Sequence, residues 1–210
     1  MAMTAEHAGV LTFIETRHDA ADHAKTVLRN YVAVLRQDTS SQPRVELLQE
    51  IARPERFVLI ESAGTQRPAG AQATVPPTLE ALTELLTAPP DRRSHRGFGD
   101  VSTPAAQGAD VVGRATLYVV THVDIGPPDL PRGEAALLRI ATEARRSAGN
   151  LRFDVWRQTD RANHFNIIAV WRGRESFDAF AASQAAREFR QSAGSMLGSL
   201  YDERLYARAD

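Results

Sequence analysis

The chain carries a weaker copy of part of itself. Residues 152–171, RFDVWRQTDRANHFNIIAVW, align without a gap on residues 44–63, RVELLQEIARPERFVLIESA, at a constant offset of 108. Arg152 falls on Arg44, Asp154 on Glu46, Arg161 on Arg53, Phe165 on Phe57 and Ile168 on Ile60. A repeat with a period near half of 210 residues implies two similar domains in tandem, not a solenoid of short units. Each copy has roughly 100 residues, a common domain size, but a domain that small buries only a modest share of its surface. Packing one copy on the other would offset that shortfall.

Both copies read in the same order. In the first, Val10–Glu15 is an apolar, β-branched run that predicts a strand. Asp19–Leu35 sets Ala24, Val27, Leu28, Tyr31, Val32 and Leu35 at helical spacing. Val45–Gln49 and Arg56–Glu61 predict two strands with a turn at Pro54. Thr78 can cap a helix through Leu86, and a last strand is expected near His95–Val101. In the second copy, Ala115–Val123 predicts a strand, and Pro131 opens a helix through Ser147. Leu151–Gln158 and His164–Trp171 form a hairpin, Ser176–Phe189 is helical in two pieces, and Tyr201–Tyr206 is a closing strand. Each half thus runs β-α-β-β-α-β, the ferredoxin-like order. The expected domains are residues 8–103 and 113–208, joined by Ser102–Gly113.

The strand faces extend the argument. Phe165, Ile167, Ala169 and Trp171 alternate with Asn166, Ile168 and Val170, so both faces are largely apolar. Such a sheet must be covered on both sides, and two helices cover only one. The expected fold is α+β: two ferredoxin-like domains packed sheet to sheet, with helices outside, as an α+β barrel within one chain.

Composition narrows the function. A net charge of −1 gives no electrostatic footprint for nucleic acid. The absence of cysteine excludes disulfides, thiolate nucleophiles and cysteine-ligated metals. No run approaches the roughly 18 apolar residues of a membrane span, and the first residues do not resemble a signal peptide. The expectation is a cytoplasmic monomer or homodimer without nucleic-acid or membrane partners. The six histidines are scattered, and His18 and His23 stand five apart, not the three or four that put two ligands on one helical face. Neither a GxxxxGK loop nor a GxSxG elbow occurs.

The segment RFDVWRQTDRANHFNIIAVWRGRESFDAFAAS resembles the antibiotic biosynthesis monooxygenase (ABM) family of dimeric α+β barrels. Members run an Arg-Phe strand start, a short turn, Phe-x-Leu-x-Glu-x-Trp and an acidic helix start. The resemblance implies a compact pocket between sheet and helices. In some members this pocket oxygenates quinols or polycyclic phenols without a cofactor; in others it binds or degrades haem. Single-repeat members build the barrel from two chains. The family glutamate is Glu61 in the first copy and Ala169 in the second, while the tryptophan is Ala63 and Trp171. The helix histidine of quinol-oxidising members falls at Phe180, and the axial histidine of haem-degrading members near Arg190.

Cofactor-free oxygenation needs a base tuned by burial and a donor for the oxyanion. The candidate proton acceptors are Glu61, His122 and His164. The candidate substrate contacts are Tyr118, Arg157, Asn166, Trp171 and Phe180. Each also has a structural reading. Glu61 can pair with an arginine, His164 can be a solvated loop residue, and His122 a satisfied core histidine. Trp171 can be plain core and Arg157 a barrel-end charge. The leading expectation is a monooxygenase acting, without cofactor, on a small aromatic or quinone-type ligand. A binding or structural protein without turnover is the alternative, and haem binding the third.

Overall fold

The computed structural model describes residues 8–37, 44–62, 82–99, 116–199 and 201–210. The chain divides into two compact α+β units. One takes in residues up to Arg96 together with Tyr206–Asp210; the other is Gly97–Leu205.

The first unit starts with β1 (Ala8–Glu15), a 3-10 turn at His18–Ala20 and α1 (Ala21–Gln37). The helix expected from Asp19 thus begins two residues later, after a tighter turn of the kind common at helix starts. β2 (Arg44–Glu50), β3 (Arg56–Ser62) and β4 (Asp91–Gly97) follow. The antiparallel order is β4-β1-β3-β2, with Leu11 opposite Ile60 and Leu47 opposite Leu59. Ala24, Leu28, Tyr31 and Val32 of α1 bury themselves on Ile14, Val45, Leu47, Phe57 and Leu59. Residues Tyr206–Arg208 pair with Glu50–Leu48 and so protect what would be an open edge of β2.

Two expectations need correction here. The last strand of this copy is Asp91–Gly97, earlier than His95–Val101. Its sequence, DRRSHRG, has no apolar alternation to announce a strand; its pairing with β1 creates it. Of the helix expected from Thr78 to Leu86, residues 78–81 lie outside the described residues. Thr83–Leu85 is a 3-10 turn.

The second unit runs β5 (Leu117–Asp124), α2 (Leu130–Arg146), β6 (Asn150–Gln158), β7 (His164–Trp171), α3 (Arg174–Ala181) and α4 (Gln184–Met196). β8 (Asp202–Arg208) comes last, and its residues through Leu205 belong to this unit. β7 lies between β5 and β6, and β8 neighbours β5. Gly149 turns the chain out of α2 at φ 79°, a conformation that favours glycine, and a Cβ there would run into Ser176. α3 and α4 are separate because Ser183 caps α4, its hydroxyl accepting from the Ala186 N–H at 3.2 Å.

Both faces of this sheet are buried. Leu117, Val119, Phe153, Val155, Phe165, Ile167, Ala169 and Trp171 pack with the helices. Tyr118, Val120, Trp156, Asn166, Ile168 and Val170 alternate with them and are equally inaccessible. Each large apolar side chain so buried contributes about 1.5–3 kcal/mol. Among the described residues, no helix is long and apolar enough to cross a membrane.

Candidate functional site

Between the sheet and the helices of the second unit lies a cavity of about 30 Å³. Trp171 reaches it from the end of β7, because that strand face carries Phe165, Ile167 and Ala169 toward the helices. Its indole stacks on Phe180 of α3 at 4.9 Å and 28°, and meets Phe177 edge-on at 6.3 Å. Phe153, Ile140 of α2 and Phe189 of α4 complete the apolar wall. Trp171 is 1% exposed, and its Nε1–H has no hydrogen-bond partner among the described residues. A buried donor without an acceptor is uncommon in folded proteins and calls for an explanation.

The opposite end of the cavity is polar. Tyr201, just before β8, donates its hydroxyl proton to Glu203 Oε2 at 3.1 Å. Arg190 of α4 donates to Glu203 Oε1 at 3.4 Å and to the Ala181 carbonyl at 2.8 Å. Thr121 of β5 also hydrogen-bonds Tyr201. Burial pushes the Tyr201 hydroxyl well above the usual tyrosine range, and the charge and hydrogen bond of Glu203 push it the same way. Arg190 and Thr121 oppose the shift. Tyr201 therefore keeps its proton at neutral pH and shares it in a hydrogen bond with the Glu203 carboxylate.

The shift has a consequence for stability. Above about pH 10 the unfolded chain ionises this tyrosine while the folded chain keeps its proton. Folding stability tied to Tyr201 is complete below that pH and is lost as pH rises toward the folded value. Urea midpoints between pH 9 and 11 should therefore fall more steeply for wild type than for Tyr201→Phe. Parallel slopes would contradict the assignment.

Of the residues singled out from sequence, Trp171 and Phe180 line this cavity. Glu61 belongs to the first unit, where Arg92 Nη1 holds it at 2.5 Å and also donates to Thr12 at 3.1 Å. Arg157 pairs with Glu134 and lies over the rings of Phe98 and Phe165, 4.4 and 4.9 Å from their centroids. His122 and His164 lie together, ring centroids 5.6 Å apart, and His164 Nε2 is 3.5 Å from Asp124 Oδ1. These histidines, Tyr118 and Asn166 occupy the β5–β7 face that alternates with the cavity side. No histidine lines the cavity, and the Arg190 guanidinium is committed to Glu203 and Ala181, so these residues do not fit an axial haem ligand. Among the described residues no cluster of three acidic or histidine side chains is placed to hold a metal.

Sequence reasoning missed Thr121, Arg190, Tyr201 and Glu203. A signal was present: in the expected strand Tyr201–Tyr206, positions 201 and 203 share a face, which joins a phenol to a carboxylate.

Residues 116–192 match the sequence model described as antibiotic biosynthesis monooxygenase, ABM. Among curated proteins no sequence matches this chain. A monooxygenase-named protein from Fusobacterium nucleatum subsp. nucleatum superposes with a TM-score of 0.77 at 10% identity, covering 99% of this chain and 94% of that one. A monooxygenase-named protein from Lactobacillus acidophilus gives 0.69 at 12% identity, covering 97% and 94%. An anthrone oxidase-like protein gives 0.66 at 12% identity, covering 96% and 91%. At these identities the likeness is one of fold. The family match is confined to residues 116–192, within the second unit.

Proposed function

We propose that the helix-side cavity of the second unit takes the ring of a small phenolic or quinol-type substrate and supports its oxygenation by dioxygen without a resident cofactor. One observation carries this reading: a single cavity is lined by Trp171, whose indole N–H has no acceptor, and by a tyrosine–carboxylate pair able to move a proton. The substrate hydroxyl donates to Tyr201 Oη as Tyr201 passes its own proton to Glu203. No free tyrosinate forms, which burial would disfavour. The substrate anion gives one electron to dioxygen, and the resulting radical and superoxide combine in a new C–O bond. The peroxide anion so formed takes the proton held on Glu203, and the hydroperoxide then gives its C–H proton to the freed carboxylate as the O–O bond breaks, so that CH₂ and O₂ become C=O and H₂O. Glu203 returns its proton to the departing hydroxide. Trp171 Nε1–H faces the developing oxyanion, where a preorganised donor stabilises charge best.

Anthrone is the first substrate to test, given the anthrone oxidase-like structural neighbour. Wild type should consume oxygen above the autoxidation rate and place one atom from ¹⁸O₂ in the anthraquinone carbonyl. Glu61→Gln, assayed in parallel, separates two sites. Loss of uptake in that variant, with Glu203→Gln active, would put the proton acceptor in the first copy. The small size of the cavity favours a second reading, ligand binding without turnover. Saturable binding of anthrone with no oxygen uptake would establish it.

A further inference from the structure

We propose that the groove between α2 and α4 is an outer subsite for the same ligand, separated from the inner cavity by a movable partition of Ile140, Phe180 and Phe189. This rests on reading the inner cavity as the ring site. The groove has a volume of about 850 Å³, and the three partition residues line both spaces. The inner cavity, at about 30 Å³, matches the volume one water takes in the liquid, whereas a benzene-binding cavity is on the order of 150 Å³. A ring can enter only if the partition yields. Phe180 is the part able to yield. It lies at the end of the eight-residue α3, one turn before the break at Ser183, and already borders the groove. Its stack on Trp171 occupies the place a planar ligand would take. Rotation of Phe180 outward joins the two spaces and exposes the Trp171 N–H to a ligand oxygen.

The groove lining says what kind of arm it accepts. Arg139, Glu143 and Glu188 are its charged lining residues; Glu143 faces Arg146 at 3.5 Å and Glu188 accepts from Gln184 at 2.7 Å. The remaining polar lining is hydroxyl and amide, including Ser192 and Gln184. With no excess of positive charge, the groove suits a neutral, hydroxyl-bearing arm over a carboxylate or phosphate. The ligand class is an aromatic ring joined to a neutral polyol or sugar-like extension.

Calorimetry on the full chain with 1-naphthol and 1-naphthyl β-D-glucopyranoside tests this. The glucoside should bind about tenfold more tightly than naphthol. Gln184→Trp and Ser192→Trp, which fill the groove, should each remove that advantage and leave naphthol affinity within about twofold. Phe180→Ala, and independently Phe189→Ala, should speed naphthol association about tenfold in stopped flow. Equal affinity for the two probes, equal weakening of both by the tryptophan variants, or unchanged association rates would overturn the outer subsite while leaving the inner site standing. Failure of naphthol to bind wild type and Phe180→Ala alike would take down both.

Discussion

Glu203→Gln is expected to lower the turnover of oxygen about 10²–10⁴-fold, the usual worth of a positioned general base. The substitution keeps shape and leaves a carbonyl oxygen to accept from Tyr201, so packing around the cavity should persist. What disappears is the negative charge that takes the proton and draws in Arg190. A group that acts only in the chemical step lowers kcat and kcat/KM together and leaves substrate binding nearly intact. Tyr201→Phe should fall short of that loss, because Glu203 remains to accept a proton through a water. Full turnover in Glu203→Gln would remove this carboxylate from the mechanism, whatever the role of the cavity.

Asp154→Ala should be the most damaging substitution for stability outside the aromatic core. Asp154 Oδ2 accepts from Arg152 Nε at 2.5 Å, and the two side chains are only 2% and 7% exposed. Removing the acid takes the carboxylate away from a buried guanidinium, and breaking such a buried pair costs about 3–5 kcal/mol. For a chain of this length that corresponds to a melting temperature lower by on the order of 10 °C. The aligned pair in the first copy provides an internal comparison. Arg44 Nη2 donates to Glu46 Oε1 at 3.1 Å, but Arg44 is 30% exposed and can turn to water when the acid is lost. Glu46→Ala should therefore cost about 1–2 kcal/mol. Thermal melts giving equal losses would contradict the difference in burial.

That pair also illustrates what the sequence made legible. Arg-x-acid recurs at matched positions because it occupies the same place on β2 and on β6, and the repeat located both strands before any coordinates. Alternation along Phe165–Trp171 likewise identified a sheet buried on both faces. Short-range patterns reached no further. β4 escaped because its strand character comes from pairing with β1, not from its own polar residues. The place of Thr121 beside Tyr201 and Glu203 escaped for the same reason. Tyr201 and Glu203 meet Thr121 only because the closing strand lies beside β5, a contact between segments some 80 residues apart that no local periodicity records. Glu61 attracted attention as the surviving family carboxylate, yet the structure pairs it with Arg92 of β4.

The most direct test of the cavity as the functional centre is the indole region of a ¹⁵N NMR spectrum. The two tryptophans give two Nε1–H signals, assigned with Trp171→Phe. Titration with 1-naphthol should move the Trp171 signal downfield and saturably as its unpartnered N–H gains an oxygen acceptor, while Trp156 stays in place. Saturable naphthol binding with the Trp171 resonance unmoved would place the ligand elsewhere and contradict the account.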